Sequence, residues 1–128
     1  DLIRFEPPSS QEKLVCWYRA ADLTVVPSYS ESFGLVAIES QACGTPVVAS
    51  AVGGLKTAVA DNVSGRLIQG HNPIAYSHVL NQLLSNPNVM DELRRGAQMH
   101  AAGFSWESTT SGLIQSYDRA LSNSRVSP

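Results

Sequence analysis

Two glutamates, Glu31 and Glu39, stand eight positions apart in the stretch SESFGLVAIESQACGTP, on either side of a nearly uncharged apolar segment. An ionised carboxylate accepts hydrogen bonds on both oxygens, so each glutamate could hold a pair of ligand hydroxyls. A helix that begins near Gly34 turns about 100° per residue and projects Glu39 from its apolar side, where a carboxylate without partners is costly. This pattern predicts a ligand for Glu39, with a core Arg or Lys as the alternative partner.

The same helical geometry predicts where the other residues of the segment lie. Ser40 and Gln41 are predicted to point away from the apolar side. Glu31 precedes the helix and is expected near its N-terminus, where the helix dipole favours negative charge, so dipole complementation is the alternative to ligand binding. The predicted apolar side comprises Leu35, Val36, Ile38, Ala42 and Cys43.

The start of this helix is predicted to bind an anion, and phosphate is the best candidate. The first backbone N–H groups of a helix lack intrahelical acceptors, and the dipole there is positive. Gly34 has no side chain to keep a ligand away. A phosphate would find donors at Gly34, Leu35 and Val36, with one carboxylate on either side of it.

Strands that alternate with helices must position these residues. We predict strands over 2–5, 23–26, 46–50 and 65–68, and helices over 11–21, 34–43, 55–60, 74–85, 87–102 and 106–123. Strands that are apolar throughout indicate an α/β fold with a parallel sheet covered on both faces, half of a doubly wound domain. Ligands of such sheets bind beyond the carboxyl ends of the strands, where loops 28–33 and 51–55 are expected. Residues 126–128 should fray.

Composition places the chain among globular proteins. Its 128 residues are 43% hydrophobic and 16% charged, and the net charge of −2 argues against nucleic-acid binding, which needs a basic face. No apolar run approaches the roughly 18 residues that span a bilayer. Cys16 and Cys43 lack metal-ligand spacing and are expected to be buried, reduced thiols of a cytoplasmic protein. The opening DLIRFEPP suggests a strand already inside a domain, so we expect part of a longer protein.

The segment PSYSESFGLVAIESQACGTPVVAS resembles the paired-glutamate motif of the retaining glycosyltransferases of family 4, which have the GT-B fold. The following AVGGLKTAVADNVSGRLI and the late FSW are similar too, so the resemblance covers nearly the whole chain. It implies a Rossmann-like fold in which residues 1–128 form the C-terminal part of the donor-binding domain, without the acceptor-binding domain. The chain looks closest to the actinobacterial branch that begins mycothiol synthesis by moving N-acetylglucosamine from UDP-GlcNAc to inositol 3-phosphate.

The resemblance also implies roles for residues. Glu31 would be the catalytic residue that holds donor-sugar hydroxyls beside the reacting carbon, and Glu39 would bind the ribose hydroxyls. Residues 6–9 would lie near the nucleotide base, although the Arg expected near Ser9 is missing. No metal or cofactor is implied. The further donor-binding residues would be Ser32, Phe33, Gly34, Leu35 and Val36.

Several interpretations stay open at this point. A nucleotide-sugar binding module without catalysis is the alternative function, as is a family 4 enzyme with another donor and a lipid or polysaccharide acceptor. The expected partners are a nucleotide sugar, a small-molecule acceptor and the N-terminal domain of the same protein; a homodimer is also open.

Two further features each have two interpretations, and a third is expected to be purely structural. Gly53–Gly54 either lets backbone approach the ligand or forms a plain turn. His71 is expected to be a solvent-facing turn residue. An apolar stripe on the last helix belongs either to the core or to an interdomain contact; it comprises Leu113, Ile114, Tyr117 and Leu121.

Overall fold

A computed structural model describes residues 2–124, with side chains up to residue 122. The elements are α1 (Gln11–Ala20), β1 (Thr24–Val26), α2 (Leu35–Ala42), β2 (Val47–Ser50), α3 (Leu55–Ala58), β3 (Gly65–Ile68), α4 (Pro73–Leu84), α5 (Pro87–Ala102) and α6 (Trp106–Ser124). The strands form one parallel sheet in the order β1-β2-β3. The predicted α/β class is therefore confirmed. The fraying expected at 126–128 concerns residues outside the described range.

The central strand β2 joins two apolar cores, one on each face of the sheet. Val47 and Ala49 pack with Leu55 of α3 in the first core, which also includes residues of α2. Val48 points to the opposite face and packs with Leu83 of α4 in the second core, together with residues of α5. Alternate residues of a strand point to opposite faces, so a strand that is apolar at each of these positions can be buried on both sides.

Three polar side chains fix where helices begin. Ser10, Asn72 and Asn86 cap α1, α4 and α5, and each accepts the backbone N–H two or three residues further on. Pro73 and Pro87 occupy the first turns of α4 and α5, where a missing N–H costs nothing. These signals explain why the predicted boundaries of these helices lie within a residue of those observed.

The predicted strand over residues 2–5 is wrong. This segment has no regular secondary structure, and Leu2, Ile3 and Phe5 are all largely exposed. A strand exists only through hydrogen bonds to a neighbour, and none of the described strands reaches this segment. An apolar pattern alone could not show that the neighbour is missing.

The two cysteines are free, but the expectation that both are buried is wrong. Cys16 is exposed and Cys43 is half-buried. Cys16 lies on α1, which contains no buried residue because it packs mainly against α2. The apolar residues near Cys16 in the sequence therefore led to a prediction of more burial than α1 has.

The apolar stripe on α6 does not belong to either core. Leu113, Ile114, Tyr117 and Leu121 are each more than half exposed. Of the two interpretations offered by the sequence, the contribution to the core is wrong, whereas the interdomain contact stays a prediction. Within residues 2–124, no helix combines the length and apolar character that crossing a membrane requires.

We expect Gly65→Ala to destabilise the sheet. A Cβ atom at Gly65 would lie 2.0 Å from the carbonyl oxygen of Val47, so β2 and β3 would have to separate. The free energy of unfolding should fall by about 1–3 kcal/mol, as for other overpacked sites. Urea unfolding followed by circular dichroism measures this change.

Gly112→Ala in α6 is the matched control. A Cβ atom there meets no atom within 4 Å, and Ala favours helix over Gly by about 1 kcal/mol. This variant should be as stable as the original protein or more so. Equal destabilisation by both substitutions would contradict the role assigned to Gly65.

Candidate functional site

The loop that carries Glu31 is held by residues at the ends of the other two strands, β2 and β3. It begins at Ser28, just after β1 and Pro27, at the carboxyl edge of the sheet. The Ser28 carbonyl oxygen accepts a hydrogen bond from Ser50 Oγ at 2.5 Å and lies 2.9 Å from His71 Nε2. Ser50 ends β2 and His71 follows β3, so the predicted position of this loop at the sheet edge is confirmed.

The backbone of Gly53 and Gly54 is in close contact with the same loop. The Gly54 N–H donates to the Glu31 carbonyl oxygen at 2.8 Å. A Cβ atom at Gly53 would lie 2.0 Å from that oxygen, and one at Gly54 would lie 2.4 Å from Phe33 Cα. The glycines therefore permit a contact between two backbones, which neither sequence interpretation included.

The start of α2 leaves two backbone donors open. Gly34 O accepts from the N–H groups of Ala37 and Ile38 at 3.0 and 3.2 Å. The N–H groups of Leu35 and Val36 have no hydrogen-bond acceptor within residues 2–124. Two free N–H groups at the positive end of a helix dipole suit an anion, as the sequence predicts.

Gly34 itself is required by its conformation and by its neighbours. Its φ of 92° lies in the left-handed region that favours glycine. A Cβ atom there would also lie 3.0 Å from Leu55 Cδ2 and 3.1 Å from Ala58 Cβ. The turn into α2 therefore sits tightly on α3, which brings the two free donors to the sheet edge.

The side chain of Glu31 is half-buried, and its carboxylate forms neither a hydrogen bond nor an ion pair with the described residues. Ser32 is exposed, Phe33 is 48% exposed and Leu35 is 61% exposed. Every one of these residues was a predicted donor-binding position. The structure brings them together around the start of α2 and leaves the Glu31 carboxylate and the Leu35 N–H without a partner among residues 2–124.

Phe33 and Leu35 also line a cavity of about 270 Å³ with residues from the end of the chain. Phe104 meets the Phe33 ring edge-on, with ring centroids 6.1 Å apart, and Trp106 completes the wall. In the sequence, FSW is linked to this site only through the family resemblance. Two aromatic residues within three positions at a helix start were the available signal for this contact.

Glu39 is half-buried between α1 and α2. Tyr18 Oη donates to Glu39 Oε2 at 3.4 Å, and no Lys or Arg in the described part of the chain pairs with Glu39. The alternative of a core Arg or Lys is therefore wrong. Burial raises the pKa of Tyr18, and the Glu39 carboxylate raises it further, so the phenol stays protonated at neutral pH and donates.

The predicted orientation of Ser40 and Gln41 is wrong, since both are fully buried. Ser40 Oγ donates to Thr24 Oγ1 at 2.8 Å, and Gln41 Nε2 donates to the carbonyl oxygens of Ala37 and Ala58, each at 2.8 Å. Periodicity shows which residues share a helix face. Here hydrogen bonds decide which face meets the sheet, while the first two residues of α2 remain about half exposed.

His71 lies in the turn after β3, as expected, but it is half-buried rather than fully open to solvent. Besides its contact with Ser28, its ring stacks on Tyr29 with centroids 4.0 Å apart and planes 14° apart. The turn after β3 lies at the same sheet edge as the loop after β1. The signal that sequence reasoning could have used was the position of His71 just beyond a parallel strand.

Residues 1–100 match the family described as glycosyl transferases group 1. The chain belongs to this family. It is 57% identical over 126 residues to the D-inositol 3-phosphate glycosyltransferase of Frankia alni, an alignment that covers 98% of this chain and 31% of that protein. The chain thus spans about a third of the length of this relative.

Solved structures of similar proteins support the same fold. Sucrose-phosphate synthase from Thermosynechococcus elongatus superposes with a TM-score of 0.82 at 36% identity, over 94% of this chain and 30% of that one. HepE from Anabaena, in complex with UDP-glucose, superposes with a TM-score of 0.67 at 27% identity, over 84% and 29%. The fold is that of the C-terminal domains of GT-B glycosyltransferases, as the sequence predicts.

We expect Gly53→Ala to reduce sugar transfer by the full-length protein. The new Cβ atom would displace the backbone of Glu31, which is the predicted catalytic residue, and misplacement of a catalytic group by about 1 Å can lower turnover about 100-fold. Initial rates should be measured per folded molecule, with the folded fraction taken from circular dichroism.

Gly44→Ala controls for the strain of a left-handed residue. Gly44 also has a positive φ, 86°, but a Cβ atom there meets only the flexible side chain of Gln98. This variant should lose stability and keep its turnover. Similar turnover losses in both variants would show that the contact with Glu31 is not the cause.

Proposed function

We propose that this chain is the C-terminal part of the donor-binding domain of a retaining glycosyltransferase that uses a nucleotide sugar. One observation carries the proposal. Two open backbone N–H groups, those of Leu35 and Val36, stand in the sequence between two glutamates whose carboxylates have no cationic partner among residues 2–124. A nucleotide sugar has hydroxyls on both sides of a diphosphate and fits this order of groups.

Each group would then meet a different part of the donor. The diphosphate would accept from the N–H groups of Leu35 and Val36, where the helix dipole also stabilises the charge of the leaving group. Glu39, held by Tyr18, would use its free oxygen for the ribose hydroxyls. Glu31 would hold sugar hydroxyls beside the anomeric carbon, where positive charge develops in the transition state. Ser32 and the backbone of Phe33 and Gly34 would line the sugar.

The proposed donor is UDP-GlcNAc and the proposed acceptor is inositol 3-phosphate, the first step of mycothiol synthesis. The name of the Frankia relative supports an inositol phosphate acceptor, and the complex of HepE supports a UDP-sugar donor. Because the chain spans about a third of that relative, we assign the acceptor site to an N-terminal domain of the same protein. The two free thiols agree with a location in the cytoplasm. A homodimer stays open.

The two glutamates provide the direct test, because they should fail in different ways. With UDP-GlcNAc and inositol 3-phosphate as substrates of the full-length protein, Glu31→Gln should lower kcat strongly and leave UDP affinity nearly unchanged, since UDP lacks the sugar. Glu39→Gln should weaken UDP binding by about 1–3 kcal/mol, the value of a hydrogen bond to a charged group. Calorimetry and initial rates measure the two effects.

Other results would contradict the roles assigned to the two glutamates. If the carboxylates serve only the fold, both substitutions should lower the melting temperature and reduce activity in step with the folded fraction. Binding of UDP-GlcNAc without transfer to any acceptor would instead indicate a binding module. Well-folded variants with unchanged UDP affinity at Glu39 and unchanged kcat at Glu31 would overturn the assignment.

We also expect transfer to proceed without a divalent metal. Backbone N–H groups such as those at the start of α2, together with cations, can stabilise the departing diphosphate without a metal. Turnover should persist after exhaustive dialysis against EDTA. Activity that disappears and returns only with Mg²⁺ or Mn²⁺ would contradict this prediction.

A further inference from the structure

His71 reaches from the end of one strand to the loop of another. It follows β3 and lies across the sheet edge from the loop that begins at Ser28 after β1. Its Nε2 atom lies 2.9 Å from the Ser28 carbonyl oxygen, and its ring stacks on Tyr29 at 4.0 Å. The imidazole therefore contacts both the backbone and a side chain of this loop, two to three residues before Glu31.

We propose that His71 is a positioning residue for sugar transfer: it fixes the loop after β1 so that Glu31 meets the donor sugar. This inference rests on the proposed function, because it assumes that Glu31 acts at the reacting sugar. His71 itself would touch neither donor nor acceptor. It would act only through Ser28 and Tyr29.

The chemistry of the contact between His71 and Ser28 shows which group donates the hydrogen bond. A carbonyl oxygen only accepts hydrogen bonds, so Nε2 must carry the proton toward Ser28. The neutral Nε2–H tautomer and the imidazolium both donate in this direction. The hydrogen bond is thus available in either protonation state, and what His71 supplies is a fixed N–H group on a rigid ring.

The loop has few other attachments between β1 and α2. Ser50 donates to the same Ser28 oxygen, and Gly54 donates to the Glu31 carbonyl oxygen. His71 is the attachment that comes from β3, and it alone among these three also packs on a side chain of the loop. With His71 removed, the start of the loop would depend on one hydroxyl.

A residue that positions the loop should affect turnover, whereas a residue of the core should affect stability. His71 is half-buried and belongs to neither apolar cluster of the described residues, so its loss should cost little stability. A small shift of the loop moves Glu31, however, and turnover is sensitive to shifts of about 1 Å. UDP binding should be spared, because the proposed contacts of UDP lie at Glu39 and at the start of α2.

Three substitutions in the full-length protein separate the hydrogen bond from the ring. His71→Ala removes both, and we expect kcat with UDP-GlcNAc to fall about tenfold or more, with UDP affinity and melting temperature nearly unchanged. His71→Gln keeps an N–H donor and should restore much of kcat. His71→Phe keeps the ring on Tyr29 without a donor and should stay close to His71→Ala.

His78→Ala is the matched control. His78 is an exposed histidine on α4, and no hydrogen bond or ion pair joins it to the rest of the described residues. Its substitution should leave kcat, UDP affinity and melting temperature as they are. The same measurements on all four variants show whether a change is specific to His71.

Defined results would overturn the proposal. Unchanged kcat in His71→Ala would refute it, and so would parallel losses of kcat, UDP affinity and melting temperature, which indicate a role in folding. Rescue by Phe but not by Gln would refute the hydrogen bond as the cause.

Glu31→Gln in the same assay separates this proposal from the proposed function. Normal kcat in Glu31→Gln would refute the role of Glu31 and with it that of His71. Low kcat in Glu31→Gln with normal kcat in His71→Ala would refute the role of His71 alone.

Discussion

The contact between the loop after β1 and the glycines after β2 constrains the whole site. The Gly54 N–H donates to the Glu31 carbonyl oxygen, and the absence of side chains at Gly53 and Gly54 allows the two backbones to meet. Parallel strands bring their carboxyl ends to one edge, but the loops beyond them still need cross-connections to adopt one conformation. This contact supplies the connection at Glu31, and the contacts of Ser28 supply it at the other end of the loop.

Helix α2 is anchored by polar contacts that free its first turn. Ser40 and Gln41 are buried and hydrogen-bonded to β1 and to the backbones of α2 and α3, so the second half of the helix is fixed. Buried polar groups of this kind stabilise a structure only when they are paired, and these are well paired on their donor side. The apolar side chains of the first turn, Leu35 and Val36, can then stay about half exposed beside its open N–H groups.

Much of the fold follows from local signals in the sequence, whereas much of the site does not. The boundaries of β3 and α5 were predicted to the residue because Gly65, Asn86 and Pro87 mark them. Residues 2–5 carry an apolar pattern typical of a strand, but pairing depends on a neighbour that no local pattern reveals. The grouping of Glu31 with the start of α2 was predictable, since both lie in one loop-to-helix segment. The contacts made by His71, Tyr18 and the two glycines join residues 21 to 43 positions apart, and only the folded chain shows them.

The charges at the site constrain how a diphosphate can bind there. Two carboxylates and a diphosphate would bring several negative charges together, while the start of a helix offers the equivalent of only about half a positive charge. No Lys or Arg within residues 2–124 pairs with Glu31 or Glu39, and the chain as a whole has a net charge of −2. Backbone dipoles can orient a diphosphate here, but they cannot neutralise it. A diphosphate held only by these groups would therefore keep most of its negative charge.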